Sequence, residues 1–139
     1  MKILFMCVAN SARSQIAEGL ANKIFANSAE IQSAGSAPSG RVHEDARLVM
    51  SEVGIDMSNH TSKSVSELSG AFLEGLDFVI SLCAEEVCPV ILTKANRLRW
   101  SLPDPAGTDK SAEERILAFR AVRDEINKRL IEFKEEVLG

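Results

Sequence analysis

Apolar residues recur along this chain in two alternating rhythms. After a single lysine, Lys2 to Met6 is an almost unbroken apolar run, the pattern of a strand covered on both faces. From Gln15 to Phe25 the apolar positions Ile16, Leu20, Ile24 and Phe25 fall at helical spacing. Ile31 to Ala34 reads as a second strand, stopped at Gly35 and followed by the turn-rich Ser36-Ala37-Pro38-Ser39-Gly40. His43 to Val53 then predicts a helix with Ala46, Val49, Met50 and Val53 inward and Gly54 as its C-cap. Phe78 to Leu82 is a third strand, and Arg97 to Trp100 a fourth, ended by Leu102-Pro103-Asp104-Pro105. Ser111 to Leu138 predicts one long helix with Ile116, Phe119, Val122, Ile126, Leu130, Phe133 and Val137 on a single stripe and charge elsewhere.

Strands that alternate with helices imply parallel pairing with right-handed crossovers. The expected fold is α/β: a small doubly wound four-stranded parallel sheet with helices on both faces, formed by one domain over residues 1–139. Ligands of such sheets bind beyond the carboxyl ends of the strands. Cys7, Cys83 and Asp104 each follow a predicted strand, so all three are expected on one rim.

Composition narrows the partners. No apolar stretch approaches the roughly 20 residues that span a bilayer, and the start of the chain lacks the h-region and cleavage site of a signal peptide. A cytoplasmic address and no membrane partner are expected. Three cysteines, an odd number, suit reactive thiols in a reducing compartment better than a static disulfide framework. A net charge of -4 and a pI near 5.2 argue against nucleic acid. Any anion must be held locally. A monomer is expected.

The stretch Cys7-Val8-Ala9-Asn10-Ser11-Ala12-Arg13-Ser14 offers a place to hold one. It runs from a strand straight into a helix, where backbone N–H groups gather an oxyanion. A helix N-terminus and a neighbouring cation favour the thiolate, the nucleophilic form of cysteine. Arg13 supplies a planar fork for two equatorial oxygens of a tetrahedral anion. Ser14 has two readings, a hydroxyl donated to the Cys7 sulfur or a cap on the helix. Asn10 tolerates the left-handed backbone that a tightly curled loop needs.

Cys7 to Ser14 matches the Cys-x5-Arg-Ser signature of low-molecular-weight protein tyrosine phosphatases and thioredoxin-coupled arsenate reductases. Further along, Ser14-Gln15-Ile16-Ala17-Glu18-Gly19, Ser33-Ala34-Gly35, Leu82-Cys83-Ala84-Glu85-Glu86-Val87-Cys88-Pro89, Asp104-Pro105-Ala106 and Phe119-Arg120-Ala121-Val122-Arg123-Asp124-Glu125-Ile126 resemble the reductase branch. The resemblance covers nearly the whole chain and implies a low-molecular-weight phosphatase-like fold. It also implies a cascade: Cys7 attacks arsenate with Asp104 as general acid, Cys83 attacks the Cys7 sulfur so that arsenite leaves, Cys88 resolves the disulfide, and thioredoxin restores the dithiol. Thioredoxin is then an external reductant and no cofactor is needed. Phosphate or sulfate would compete with arsenate.

By the same resemblance Val8, Ala9, Asn10, Ser11, Ala12 and Ser14 bind the oxyanion or shape its loop. Some reductases hold potassium beside that loop with an Asn, a Glu, a Ser and an Asp. Those positions map onto Asn10, Glu18, Ser33 and, in place of the Asp, Lys63. Lys63 is therefore either a solvated lysine or an ammonium in the cation's site, in which case no potassium is required. Cys83-x4-Cys88 is shorter than the spacing in the best-known reductases, and Ala84 to Val90 is expected to rearrange on oxidation because disulfide geometry is demanding. Asp104 needs burial or a nearby anion to stay protonated.

Two phosphatase features are missing. Ala106-Gly107 follows the Asp-Pro pair where phosphatases of this family carry aromatics, and the chain has no tyrosine. A phosphatase acting through a cysteinyl-phosphate is the alternative reading, and a non-enzymatic redox or arsenical-binding module the third. A metal site is not expected, since Cys83-x4-Cys88 has no second pair. His60, near Thr61 and Ser62, has two readings, support of the loop or the more common surface role; Trp100 is expected in the core or a cleft wall, and Arg120, Arg123 and Lys128 on a solvated helix face.

Overall fold

The computed structural model describes residues 1–84, 93–107 and 109–139. Its strands are β1 (Lys2–Cys7), β2 (Glu30–Gly35), β3 (Phe78–Cys83) and β4 (Asn96–Leu102), and its helices α1 (Arg13–Phe25), α2 (Glu44–Ser51), α3 (Gly70–Glu74) and α4 (Ala112–Leu138). The four strands form one parallel sheet in the order β2-β1-β3-β4. From β1 the chain first builds outward to β2 and then crosses to place β3 on the other side. The carboxyl end of β1, where Cys7 lies, is therefore the switch point at which such sheets bind ligands.

The unbroken apolar run of β1 is explained by its two neighbours. Ile3 and Phe5 face the larger core, with Ile16 and Leu20 of α1 and Phe119, Ile126 and Leu130 of α4. Leu4 and Met6 face a smaller core with Phe72 and Leu76. Helices thus cover both faces, as expected of doubly wound sheets. Trp100 joins the wall of the larger core, its ring centroid 6.4 Å from Phe5 and 5.8 Å from Phe133.

Most boundaries shift by only one or two residues from those the apolar pattern suggests. Ser111 is the N-cap of α4 rather than its first residue, accepting from the Glu114 N–H at 3.1 Å while Glu114 reaches back to the Ser111 N–H. His43 likewise caps α2, its Nδ1 accepting from the Asp45 N–H at 3.0 Å. The helix ends at Ser51, before Val53, and the chain turns out through Gly54 at φ 78°. The charged face of α4 is not simply solvated. Arg120 and Arg123 converge on Glu52 of the segment after α2, and Arg123 also donates to the Val49 carbonyl at 2.8 Å, whereas Lys128 is exposed.

Candidate active site

Between β1 and α1 the backbone turns inside out. The carbonyls of five consecutive residues are all engaged on the outer side of the loop. Val8 O accepts from Ala37 N, Ala9 O from Ser39 N and Ser62 Oγ, Asn10 O from Gln15 Nε2, Ser11 O from His43 N and Ala12 O from Ile16 N, at 2.8 to 3.2 Å. Among the described residues, no N–H from Val8 to Ala12 donates to a carbonyl outside the strand and helix ladders. The inner side is therefore lined by amide donors, the physical basis of an anion nest. Asn10 makes the tight curl at φ 48°, and α1 has no acidic residue in its first turn to compete for the positive end of its dipole.

Gly35 is what lets this loop sit against the end of β2. A Cβ there would lie 2.4 Å from Val8 O and 3.0 Å from Asn10 N, both main-chain atoms. The sequence reading assigned Gly35 only the end of a strand.

Cys7 is buried, and its sulfur lies 2.8 Å from Ser14 Oγ. Backbone groups decide which atom donates. The Lys63 N–H reaches one terminal atom of the Asn10 amide at 2.9 Å, so that atom is Oδ1. Asn10 Nδ2 then donates to Ser14 Oγ at 2.8 Å, which leaves the Ser14 hydroxyl proton for Cys7. Of the two readings of Ser14, the sulfur contact holds; α1 begins after Ala12, with no side-chain cap.

Behind the loop stands a buried polar layer. Asn10 Nδ2 also donates to Ser33 Oγ at 3.0 Å, and Ser33 donates to Glu18 Oε1 at 2.8 Å. Lys63 Nζ is 3.6 Å from the same oxygen and 3.3 Å from the Thr61 carbonyl, with its side chain only 15% exposed. Lys63 is an inward ion-pair partner of Glu18 and not a solvated lysine.

Gln15 and His60 complete the layer; sequence reasoning gave Gln15 no role and offered loop support only as the second reading of His60. Gln15 is fully buried and donates to Asn10 Oδ1 and the Thr61 carbonyl, both at 2.9 Å. His60 Nδ1 lies 3.1 Å from Gln15 Oε1 and 3.2 Å from Glu18 Oε2, two acceptors, so Nδ1 carries the proton. The expected surface role for His60 is overturned, because its segment packs under the loop. Burial holds its pKa below the ordinary 6.5 and outweighs the attraction of Glu18, so near neutral pH the contact is a hydrogen bond from a neutral ring. The one sequence clue was a glutamine in the first helical turn, three residues before Glu18 and directly behind the loop.

Arg13, the first residue of α1, is buried, and its Nη1 donates to the Leu102 carbonyl at 2.9 Å. Cys83 ends β3 as a second buried cysteine, and the β1–β3 register, Met6 opposite Ser81, brings it to the same sheet edge as Cys7. Cys88 and Glu85 to Val90 of the segment expected to rearrange lie outside the described residues. Asp104 follows β4 by two residues, with Oδ1 accepting from the Ala106 N–H at 2.9 Å. The burial considered for Asp104 is absent: it lies exposed in a turn that its own carboxylate closes. Among the described residues no three His, Cys, Asp or Glu side chains gather as a metal site, and no helix is long and apolar enough to cross a membrane.

The switch point of this parallel sheet thus brings together a thiol, a loop lined by amide donors and a buried arginine. Residues 2–138 match the low molecular weight phosphotyrosine protein phosphatase family, and the chain belongs to it. An arsenate reductase of Halalkalibacterium halodurans is 39% identical over 135 residues, covering 96% of this chain and 94% of that protein. The crystal structure of an arsenate reductase from Archaeoglobus fulgidus is 31% identical with a TM-score of 0.78, over 94% of this chain and 97% of the other. A thioredoxin-dependent arsenate reductase of Corynebacterium glutamicum is 30% identical with a TM-score of 0.73, over 97% of this chain and 60% of that longer one.

Proposed function

We propose that this protein reduces arsenate to arsenite through three thiols and draws its electrons from thioredoxin. The Cys7 thiolate attacks arsenic(V) held in the nest, and Asp104 protonates the oxygen that departs as water. Arg13 and the loop amides of Val8, Ala9, Asn10, Ser11 and Ala12 carry the oxyanion charge, while Ser14 stabilises the sulfur. Cys83 then attacks the Cys7 sulfur. The S–S bond forms as the S–As bond breaks, and its electron pair stays on arsenic, which leaves as arsenite. Cys88 displaces Cys7 from Cys83, and the Cys83–Cys88 disulfide takes two electrons from the thioredoxin dithiol. No bound cofactor is required, and a reducing compartment suits the resting thiols.

The observation that carries this reading is Cys83, a second buried cysteine at the same sheet edge as the loop. A phosphatase needs only one nucleophile and a water. Relatives named arsenate reductase over nearly the full chain support the same choice. The family's phosphatase chemistry is the second reading, favoured by the loop itself, which would hold phosphate equally well.

Arsenate-dependent oxidation of NADPH through thioredoxin reductase and thioredoxin separates the two. A reductase sustains it and loses it in Cys83→Ser. A protein that hydrolyses para-nitrophenyl phosphate steadily but consumes no NADPH with arsenate is a phosphatase.

A further inference from the structure

Among the loop carbonyls turned to the outside, that of Ala9 takes two donors, the Ser39 N–H at 2.9 Å and the Ser62 hydroxyl at 3.1 Å. A neighbour settles which way the hydroxyl proton points. The Gly40 N–H approaches Ser62 Oγ at 3.3 Å, and an amide N–H can only donate. Ser62 therefore accepts from Gly40 and gives its own proton to Ala9.

The segment that carries Ser62 is fixed on both sides. Thr61 O accepts from Gln15 Nε2 and the Lys63 N–H donates to Asn10 Oδ1, both at 2.9 Å, while Lys63 O accepts from the Gly35 N–H at 2.9 Å. Ser62 is half-buried between these anchors. Its hydroxyl is delivered to the loop by contacts of the residues before and after it, and losing the hydroxyl leaves those contacts in place.

The bond matters because of what lies across the Ala9–Asn10 peptide. That peptide is trans, so its N–H points away from its carbonyl. With the carbonyl held outward, the Asn10 N–H faces the inner side of the loop, where it meets no main-chain acceptor among the described residues. Two donors on one oxygen also polarise the amide and make its N–H a better donor. The torsion that follows is a costly one. Asn10 sits at φ 48°, a left-handed conformation that persists in an L residue when its surroundings impose it. A peptide leading into such a residue needs holds from outside the loop to keep its plane.

We propose that the Ser62 hydroxyl is a positioning group of the anion site: together with the Ser39 N–H it keeps the Ala9 carbonyl outward and the Asn10 N–H aimed at the bound oxyanion. The inference rests on the loop being an oxyanion site and is independent of which reaction follows there. Ser62 lies on the outer side of the loop and acts through the peptide.

The test is inorganic phosphate binding by calorimetry on the full chain, with the loop amide protons followed by NMR at phosphate saturation. In wild type the Asn10 amide proton should move downfield as it bonds the anion. Ser62→Ala should weaken phosphate binding about three- to tenfold, the scale of one lost hydrogen bond, and shrink the Asn10 displacement while those of Val8 and Ala12 persist. Ser62→Thr keeps the hydroxyl and should bind within about twofold of wild type. An Asn10 amide that phosphate leaves unmoved in wild type overturns the inference without any variant. So does a Ser62→Ala protein that binds as tightly as wild type, or a Ser62→Thr protein as weak as Ser62→Ala. A loss spread equally over all the loop amides would mean general loosening and would overturn it too. A wild-type protein that binds no phosphate would overturn the reading of the loop and this inference with it. Normal phosphate affinity without arsenate turnover would overturn only the proposed reaction.

Discussion

Replacing Lys63 by alanine should destabilise the fold and expose what the ammonium does. The Glu18 carboxylate is 11% exposed and its Oε1 sits 3.6 Å from Lys63 Nζ. At an effective dielectric of about 20, charges that far apart attract by roughly 4 to 5 kcal/mol before the cost of burying them is counted. Removing one partner of a fully buried pair typically costs about 3 to 5 kcal/mol. Here the loss should be smaller, about 1 to 3 kcal/mol, because Glu18 keeps the Ser33 hydroxyl at 2.8 Å and the His60 Nδ1–H at 3.2 Å. For a chain of 139 residues that corresponds to a melting temperature lower by about 3 to 10 °C. The assay is thermal unfolding followed by circular dichroism, in sodium and in potassium chloride at equal ionic strength. Wild type should melt alike in both, since the Lys63 ammonium already pairs with the Glu18 carboxylate. Lys63→Asp should melt lower in sodium and recover part of the loss in potassium, its new carboxylate joining the oxygens of Asn10, Glu18 and Ser33. A wild type clearly stabilised by potassium, or a Lys63→Ala variant as stable as wild type, would refute the reasoning.

Three further outcomes follow from contacts around the loop. Gly35→Ala forces a Cβ to within 2.4 Å of Val8 O, so melting and phosphate calorimetry together should show a cost of about 1 to 3 kcal/mol and a weaker anion site. Ser14→Ala removes the hydroxyl 2.8 Å from Cys7, and in a Cys83→Ser, Cys88→Ser background iodoacetamide should alkylate Cys7 about five- to tenfold more slowly at neutral pH. His60 has its pKa held below 6.5 in the fold, so on acidification the unfolded chain takes up that proton first. Stability should therefore be fully present above pH 6.5 and fall as the pH drops toward the folded value. His60→Gln, by melting against pH, should flatten that limb.

Much of the architecture was legible because each buried strand announces itself locally. The run at Lys2 to Met6 needed two cores to bury both of its faces, and the structure supplies both. Cys7, Arg13 and Ser14 were legible because a strand running into a helix leaves a nest whatever the rest of the chain does. The layer behind the loop was not, because its partners come from far apart. Gln15 meets His60 across 45 residues, and Arg13 meets Leu102 across 89. Periodicity says which face of a helix turns inward, not which polar group waits there. The same limit hid Arg120 and Arg123 on Glu52, pairs set by the docking of two helices. Asp104 was legible as a residue following a strand, but its surroundings were not: a turn at a strand end lies at the surface, and its carboxylate accepts from the Ala106 N–H.

The relay of sulfurs is tested most directly by a single turnover of Cys88→Ser. The reduced variant is mixed with arsenate without thioredoxin, and its thiols and the released arsenic are followed by mass spectrometry. The account predicts one arsenite per chain, a Cys7–Cys83 disulfide and then arrest. Arsenite formed without that disulfide, or catalysis that continues past the first turnover, would contradict it.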